Sequence, residues 1–351
     1  MVDADIHSAE YLERTPSRGS DRSARRWGVI GVPSSAGGHT PGMDLAPAAI
    51  RAAGLVRRLV AGGDRVVDHG DTAGSRWQPD PAHPDGQNMA EVARVASETT
   101  SAITHILETE ARPLVIGGDC TVTMGVVAGF QQSGQPCALL YFDGGPDLYT
   151  PGRTEYGNLD AMGLAHMLAI PGSDPQLTSI WGGGAVLHPH EVVLYGDAIP
   201  DRSHDLEDVL SAQLQLKRFP AGLIHQDVAS AAHAALSEIE RAGRRFVVHF
   251  DVDVLSHMHM PIANMPNPDH EPWGLTIAEV VESLRIFTNS DLFAGIVLAE
   301  VNPNNAPGPE TLVEYVEMIT SGLAGRPHIP DHDQAARGEQ FRARESLCDD
   351  R

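Results

Sequence analysis

RRFVVHFDVD, residues 244–253, carries the strongest structural signal in this chain. Its apolar run predicts a buried β-strand, and alternate side chains of a strand point to the same face, so His249, Asp251 and Asp253 are expected to point the same way. Two carboxylates and an imidazole at the end of a buried strand repel one another or compete for protons unless a positive charge lies between them. The motif therefore favours a metal ion or a cationic substrate here. In isolation, an Asp pair that caps the next turn would explain it equally well.

Short apolar runs alternate with helical patterns on both sides of this motif. Strands are predicted at 27–33, 65–69, 113–117, 138–143, 191–195, 246–254 and 296–301. Apolar residues at i, i+3 and i+4 predict helices at 47–61, 90–111, 158–170, 228–242, 277–287 and 310–323. This alternation is typical of an α/β domain with a mostly parallel sheet and helices on both faces. In such sheets, ligands bind beyond the carboxyl ends of the strands.

Composition narrows the class of protein. The chain has 351 residues, 42% of them hydrophobic, which supports one large domain at 26–324 between a polar N-terminal arm (1–25) and a polar C-terminal tail (325–351). A net charge of −22 argues against nucleic acid or an anionic membrane as a partner. Three cysteines without a disulfide framework, no apolar run of membrane-spanning length and no signal-peptide pattern predict a cytoplasmic protein.

Three further motifs follow predicted strands: GGDCT at 117–121, DGGPD at 143–147 and AEVNP at 299–303. Asp143 and Asp147, four residues apart across a turn, can converge on one cation through oxygen ligands. Glu300 is a candidate for holding a positively charged substrate group. Cys120 opens a helix, where a buried cysteine is more commonly a small hydrophobe than a ligand or a nucleophile.

The order and spacing of these motifs resemble the ureohydrolase family, which includes arginase, agmatinase and formimidoylglutamase. The resemblance extends over about residues 27 to 324, through VIGVPSSAGGHTPGMDLAPAAIRAAGL (29–55), GGDCT, FDGGPD, GNLDAMGLAHML (157–168), HFDVD, GLTIAEVVESL (274–284) and AEVNP. It implies a three-layer α/β/α domain and assembly into homo-oligomeric trimers or hexamers. It also implies a two-manganese centre whose bridging hydroxide attacks a guanidine or amidine carbon.

The metal-binding motifs of this chain depart from the family pattern. Residues matching family metal ligands are Asp143, Asp147, Asp251 and Asp253. Cys120 stands where the family motif GGDH has its histidine, and the histidine of the family motif DAHxD is here a glycine, which can bind nothing. Manganese prefers oxygen and imidazole ligands, whereas a thiolate favours zinc or another softer ion. The resemblance therefore implies a remodelled site for a single divalent ion, and a metal-free protein is the alternative.

Candidate catalytic residues follow from the same resemblance. Asp160 aligns with the histidine of the family motif GNLHG, which takes part in proton transfer, and Glu300 matches the carboxylate that holds the guanidinium group. His249 stands where the family has a small serine. We hypothesise that it partly replaces a lost histidine, either as a metal ligand or as a general base. A core histidine bonded to the backbone is an equally open alternative.

Arginine is not the expected substrate. The small polar side chains with which arginases hold the amino-acid head group are replaced by Tyr149 and Tyr156, although Asn158 still matches. The sequence thus predicts a hydrolase that acts on a C–N bond of another small, cationic guanidino, amidino or amide substrate. Two alternatives stay open: a member without this activity, serving as a pseudoenzyme, ligand-binding protein or partner subunit, and a metal-independent enzyme that uses Cys120. A helix N-terminus lowers a thiol pKa, but neighbouring aspartates oppose this.

Overall fold

The computed structural model describes residues 24–154, 156–198, 204–264 and 274–324. The predicted tail (325–351) and all but the last two residues of the predicted arm lie outside these ranges. Arg25, placed in the arm by the sequence, donates from its guanidinium to the backbone oxygen of Thr288 at 2.8 Å. Within the described ranges, no helix is both long and apolar enough to cross a membrane.

Eight parallel strands form the single sheet of the described chain. They are β1 (Arg26–Gly31), β2 (Arg65–Asp71), β3 (Arg112–Ile116), β4 (Ala138–Phe142), β5 (Val192–Tyr195), β6 (Lys217–Phe219), β7 (Phe246–Asp251) and β8 (Phe293–Ala299). Their order across the sheet is β2-β1-β3-β8-β7-β4-β5-β6, and every neighbouring pair is parallel. The four strands that precede the sequence motifs, β3, β8, β7 and β4, are therefore consecutive neighbours at the centre.

Helices cover both faces of this sheet. They are α1 (Ala46–Ala52), α2 (Leu55–Ala61), α3 (Met89–Glu108), α4 (Val122–Gln132), α5 (Gly163–Met167), α6 (Pro175–Thr178), α7 (His204–Gln213), α8 (Ala221–Ile224), α9 (Val228–Glu240), α10 (Ile277–Thr288) and α11 (Pro309–Leu323). Successive strand residues alternate between two buried apolar clusters: Leu140 packs in one and Leu139 in the other. This alternation confirms the predicted three-layer α/β/α fold, because each face of the sheet has its own helical layer.

The bounds of several predicted elements differ from the structure, and three of these differences are substantial. The strand predicted to continue to residue 254 ends at Asp251, and Val252–Val254 form a 3-10 turn, so Asp253 is not a strand residue. The helix predicted at 47–61 is two helices, because Gly54 adopts a left-handed backbone conformation (φ 99°) between them. The helix predicted at 158–170 contracts to α5 and a 3-10 turn.

The short edge strand β6 was not predicted at all. It has three residues, each exposed or half-buried, so it lacks an apolar run. Pairing with β5 along the edge of the sheet, a tertiary contact, decides its structure.

Candidate metal centre and pocket

Four buried side chains converge where the central strands end. Ligand atoms of Cys120, Asp143, His249 and Asp251 all lie within 4.8 Å of one another. His249 and Asp251 close β7, Asp143 follows β4, and Cys120 lies between β3 and α4. Because β3, β8, β7 and β4 are parallel neighbours, their carboxyl ends bring motifs from distant parts of the chain to one place.

The contacts within this cluster are direct. The Cys120 thiol donates to Asp251 Oδ2 at 2.8 Å, and its sulfur lies 3.6 Å from His249 Nε2. His249 Nε2 in turn lies 3.1 Å from Asp143 Oδ2. The imidazole therefore lies between the thiol and a carboxylate. His249 and Asp251 point to the same side, as strand alternation predicted.

Two side chains hold the His249 ring. Thr123 Oγ1 is hydrogen-bonded to His249 Nδ1 at 2.7 Å, and the Tyr141 ring stacks on the imidazole with centroids 4.2 Å apart and planes 8° from parallel. Both ring nitrogens thus face side chains, which differs from the alternative of a core histidine bonded to the backbone. Ring rotation would cost the stacking and the Thr123 bond together.

Neither Thr123 nor Tyr141 was singled out from the sequence, although both carried a usable signal. Thr123 follows Cys120 by three residues, close to one helical turn along the chain. Tyr141 lies on β4, two residues before Asp143, and it is the direct cross-strand partner of His249 in the β4–β7 register.

The remaining predicted ligands, Asp147 and Asp253, lie beside the four-residue cluster rather than in it. Asp147 accepts a hydrogen bond from the Tyr141 hydroxyl, and Asp253 Oδ1 accepts from the Gly144 backbone N–H at 3.0 Å. Asp147 also has a positive φ of 48°, a conformation that non-glycine residues seldom adopt and that often marks functional sites. Both carboxylates line the adjacent pocket.

This pocket has a volume of about 160 Å³ and opens onto the cluster. Its lining residues are His39, Cys120, Asp147, Asn158, Asp160, Ala161, Asp251, Asp253, Asn264 and Glu300. Glu300 Oε1 accepts from the Cys120 backbone N–H at 3.0 Å, and Glu300 itself has φ 62°. Asn158 Nδ2 donates to Asp160 Oδ1, which places the two predicted residues on one wall. His39 and Asn264 are lining residues that the sequence did not mark.

The two predicted tyrosines differ in position. Tyr149 is 7% exposed and belongs to the apolar core next to Leu148, not to the pocket lining, so the structure gives no support for substrate contact by its side chain. Tyr156 is 42% exposed, and its ring centroid lies 6.4 Å from that of His39. Tyr156 is thus near the rim.

Burial shapes the electrostatics of the site. It is the main cause that raises the pKa values of Asp143 and Asp251 well above their ordinary range, with the Asp253 charge adding to the effect on both. Burial likewise raises the pKa of Asp160 to about 7 and lowers that of His249 to about 3. Proximate carboxylates without a cation hold protons to avoid repulsion, whereas a bound cation favours their ionised forms.

The donor set fits one divalent ion. One sulfur, one imidazole nitrogen and two carboxylates are the number and kind of ligands that a four-coordinate zinc-type site uses, and all four are buried together. A second ion has no imidazole on the Asp143 side, because Gly145 has no side chain. The residues present therefore do not fit the paired-manganese arrangement that the resemblance implied.

Fold and site together define a three-layer α/β/α protein with a cluster of potential metal-binding side chains at the carboxyl ends of its central strands. The family model of the Arginase family matches residues 25–324, and the chain belongs to this family of hydrolases. The predicted resemblance is thereby confirmed.

Individual relatives agree with this assignment. The chain is 26% identical to an arginase of Brevibacillus brevis over 279 residues, 78% of this chain and 90% of the relative. The fold is similar to the native arginase structure from Bacillus caldovelox, with a TM-score of 0.75, 22% identity and coverage of 87% and 100% of the two chains. It is also similar to formimidoylglutamase from Bacillus subtilis, with a TM-score of 0.65, 16% identity and coverage of 90% and 95%.

Proposed function

We propose that this chain is a hydrolase that cleaves a C–N bond in a small cationic guanidino, amidino or amide compound other than arginine, at a single-metal site. The observation that carries the proposal is the convergence of Cys120, Asp143, His249 and Asp251 within 4.8 Å in a buried position next to a pocket. These four residues would hold the ion. A bound divalent ion supplies Lewis-acid polarisation and an activated water. Zinc or another softer ion suits the Cys120 thiolate better than manganese does.

The chain's own residues supply binding and proton transfer. Glu300, which is buried in the pocket wall, would accept hydrogen bonds from a guanidinium or amidinium group. Asp160, with a pKa raised to about 7, is suited to exchange protons with substrate near neutral pH. His249, with its nitrogens directed at Thr123 and at the cluster, is better placed as a ligand than as a base.

Charge in the pocket favours a cationic substrate. Five acidic side chains line it, and no Lys or Arg does so among the described residues. A guanidinium or amidinium group is therefore attracted to this pocket. Tyr156 lies near the rim beside His39, where its ring would shape the entrance for a bulkier substrate.

The alternative of a metal-independent Cys120 enzyme is disfavoured by the same charges. Burial raises the pKa of the Cys120 thiol well above its ordinary value, and Asp251 and Glu300 raise it further. The thiol also donates to Asp251 at 2.8 Å, whereas its sulfur lies 3.6 Å from the His249 imidazole that would have to activate it. Without a cation, this cysteine stays protonated and is a poor nucleophile.

Elemental analysis of protein purified without added metal tests the proposal. Wild type should contain about one equivalent of a divalent ion per chain, and Asp251→Asn should contain far less, because a carboxylate ligand is lost. Asp227→Asn is a matched control, since Asp227 is an exposed residue that caps α9 and asparagine caps equally well. The second arm measures urea or ammonia release from a panel of guanidino, amidino and amide compounds.

The outcomes separate the alternatives. Metal retention by wild type and turnover of any panel member support the proposal. Folded, metal-free wild type would instead indicate a ligand-binding protein or partner subunit without this chemistry. Assembly into a trimer or hexamer and a cytoplasmic location stay predictions from the sequence, which size-exclusion chromatography with light scattering and cell fractionation can check.

A further inference from the structure

Asn264 is a pocket-lining residue whose buried amide donor has no partner among the described residues. It is 7% exposed, and its backbone N–H donates to the Glu300 carbonyl at 3.1 Å, which fixes it beside the site. Its Oδ1 accepts two hydrogen bonds, from Thr40 Oγ1 at 3.0 Å and from Asn302 Nδ2 at 2.9 Å. Its Nδ2 is buried and makes no hydrogen bond within the part of the chain that the structure describes. A buried donor without a partner costs about 1–3 kcal/mol, so its presence calls for a reason.

The orientation of this amide is set by its neighbours. Asn302 Oδ1 accepts from the Asn304 backbone N–H at 3.1 Å, so the other end of the Asn302 amide must be the donor. That donor points at Asn264, and a backbone N–H cannot reverse its role. Asn264 therefore presents its oxygen to Asn302 and Thr40, and its NH₂ group faces the opposite way.

The NH₂ group lies on the Asp160 side of the pocket. A Cβ atom added to Gly38 would be 3.5 Å from Asn264 Nδ2 and 3.5 Å from Asp160 Oδ2. The side chains of Asn264 and Asp160 thus both lie close to Gly38. A donor at this place is positioned to meet a ligand that also reaches Asp160.

We propose that Asn264 forms a subsite for an uncharged oxygen of the substrate, a carbonyl or a hydroxyl, some distance from the cationic group. The proposal rests on the proposed function and names its substrate class: a guanidino or amidino compound that carries a neutral oxygen acceptor. An amide N–H recognises an oxygen acceptor, and a site built to make such a bond discriminates against analogues that lack it. A neutral acceptor is favoured over an anionic one, because the pocket holds five acidic side chains and no Lys or Arg among the described residues.

Equilibrium binding of three probes by calorimetry tests this subsite. The probes are butylguanidine, the amide of guanidinobutyric acid, and agmatine, which share a guanidinium and differ in the distal group. Wild type should bind the amide probe about 3- to 10-fold more tightly than butylguanidine, the gain of one neutral hydrogen bond. Agmatine, with a distal ammonium, should gain nothing from the Asn264 NH₂ group.

Asn264→Asp is the decisive variant. The substitution keeps an oxygen for Thr40 and Asn302 and replaces the NH₂ donor by a second oxygen of the same size. The ranking of the amide probe should invert relative to wild type: it should lose its advantage over butylguanidine, and agmatine should gain affinity relative to both other probes. Asn289→Asp, at the exposed end of α10, is the matched control and should behave as wild type. Thr40→Val, at an exposed position, removes one donor that fixes the amide and should reduce the preference in the same direction.

Each outcome bears on the subsite separately from the chemistry. If Asn264→Asp and wild type rank the three probes identically, the subsite is refuted. If Asn264→Asp does not fold, Thr40→Val takes its place, and the same ranking in Thr40→Val and wild type refutes the subsite. If the ranking inverts but no probe is hydrolysed, the subsite stands and the proposed hydrolase function fails. If wild type binds none of the probes, both proposals are overturned.

Discussion

Thr123→Val should weaken metal binding without reshaping the site. Valine matches threonine in volume, so the substitution opens no cavity and removes only the hydroxyl that bonds His249 Nδ1 at 2.7 Å. Thr123 is fully buried, so water cannot replace the lost partner. Where a histidine binds a metal through one nitrogen, the partner of the other nitrogen fixes its tautomer and direction, and losing that partner typically costs 10- to 100-fold in affinity.

The expected magnitude has two parts. Metal affinity should fall by about 10- to 100-fold, which equals about 1.4–2.8 kcal/mol. The metal-free protein should lose about 1–3 kcal/mol in free energy of unfolding, because His249 Nδ1 is left unpaired in a buried position. Stacking on Tyr141 should keep the ring in place and limit the loss to this range.

Competition against a chelator of known affinity measures the first part, and urea denaturation of the metal-free protein measures the second. Thr99→Val is the matched control: Thr99 is equally buried, but its hydroxyl bonds the Val95 carbonyl within α3. If Thr123→Val binds the metal as tightly as Thr99→Val and wild type do, the view that His249 is a metal ligand held by Thr123 is refuted.

Three further perturbations have defined outcomes. Gly145→His should raise manganese affinity in metal titrations, because the side chain restores a family ligand and a Cβ there meets, among the described residues, nothing closer than a carboxylate oxygen at 3.8 Å. Unchanged affinity would show that the missing histidine does not limit manganese binding. Gly118→Ala should abolish folded expression, since its Cβ would lie 1.6 Å from the Ser34 backbone oxygen, whereas Gly222→Ala, with open space around it, should fold normally. Asp160 keeps its proton up to about pH 7 in the folded protein but only to its ordinary pKa near 3.8 when unfolded, so its contribution to stability declines as pH rises through that window. Asp160→Asn should therefore be more stable than wild type at pH 8 and lose this advantage toward pH 4 in denaturation curves, and equal stability at both pH values would contradict the raised pKa.

The sequence by itself determined the fold, for local physical reasons, and marked the candidate metal ligands. Apolar runs that alternate with helical periodicity require a parallel sheet with two helical layers, and polar residues directly after such runs can only lie at one edge of that sheet. Asp143, His249 and Asp251 were marked in this way, whereas Cys120 became a candidate ligand through the family resemblance; the structure brings ligand atoms of all four within 4.8 Å of one another. The imidazole on the face of Asp251 followed from strand alternation alone.

Only the tertiary structure decided how these residues are supported and what surrounds them. Strand register sets Tyr141 against His249, and no sequence pattern gives a register between strands more than a hundred residues apart. Asp253 left the strand face because the chain turns at Val252, and Asn264 gained its fixed amide from Asn302 and Thr40, which are remote in sequence. Local residue type predicted which atoms could serve the chemistry, whereas the packing of distant segments determined where each atom points.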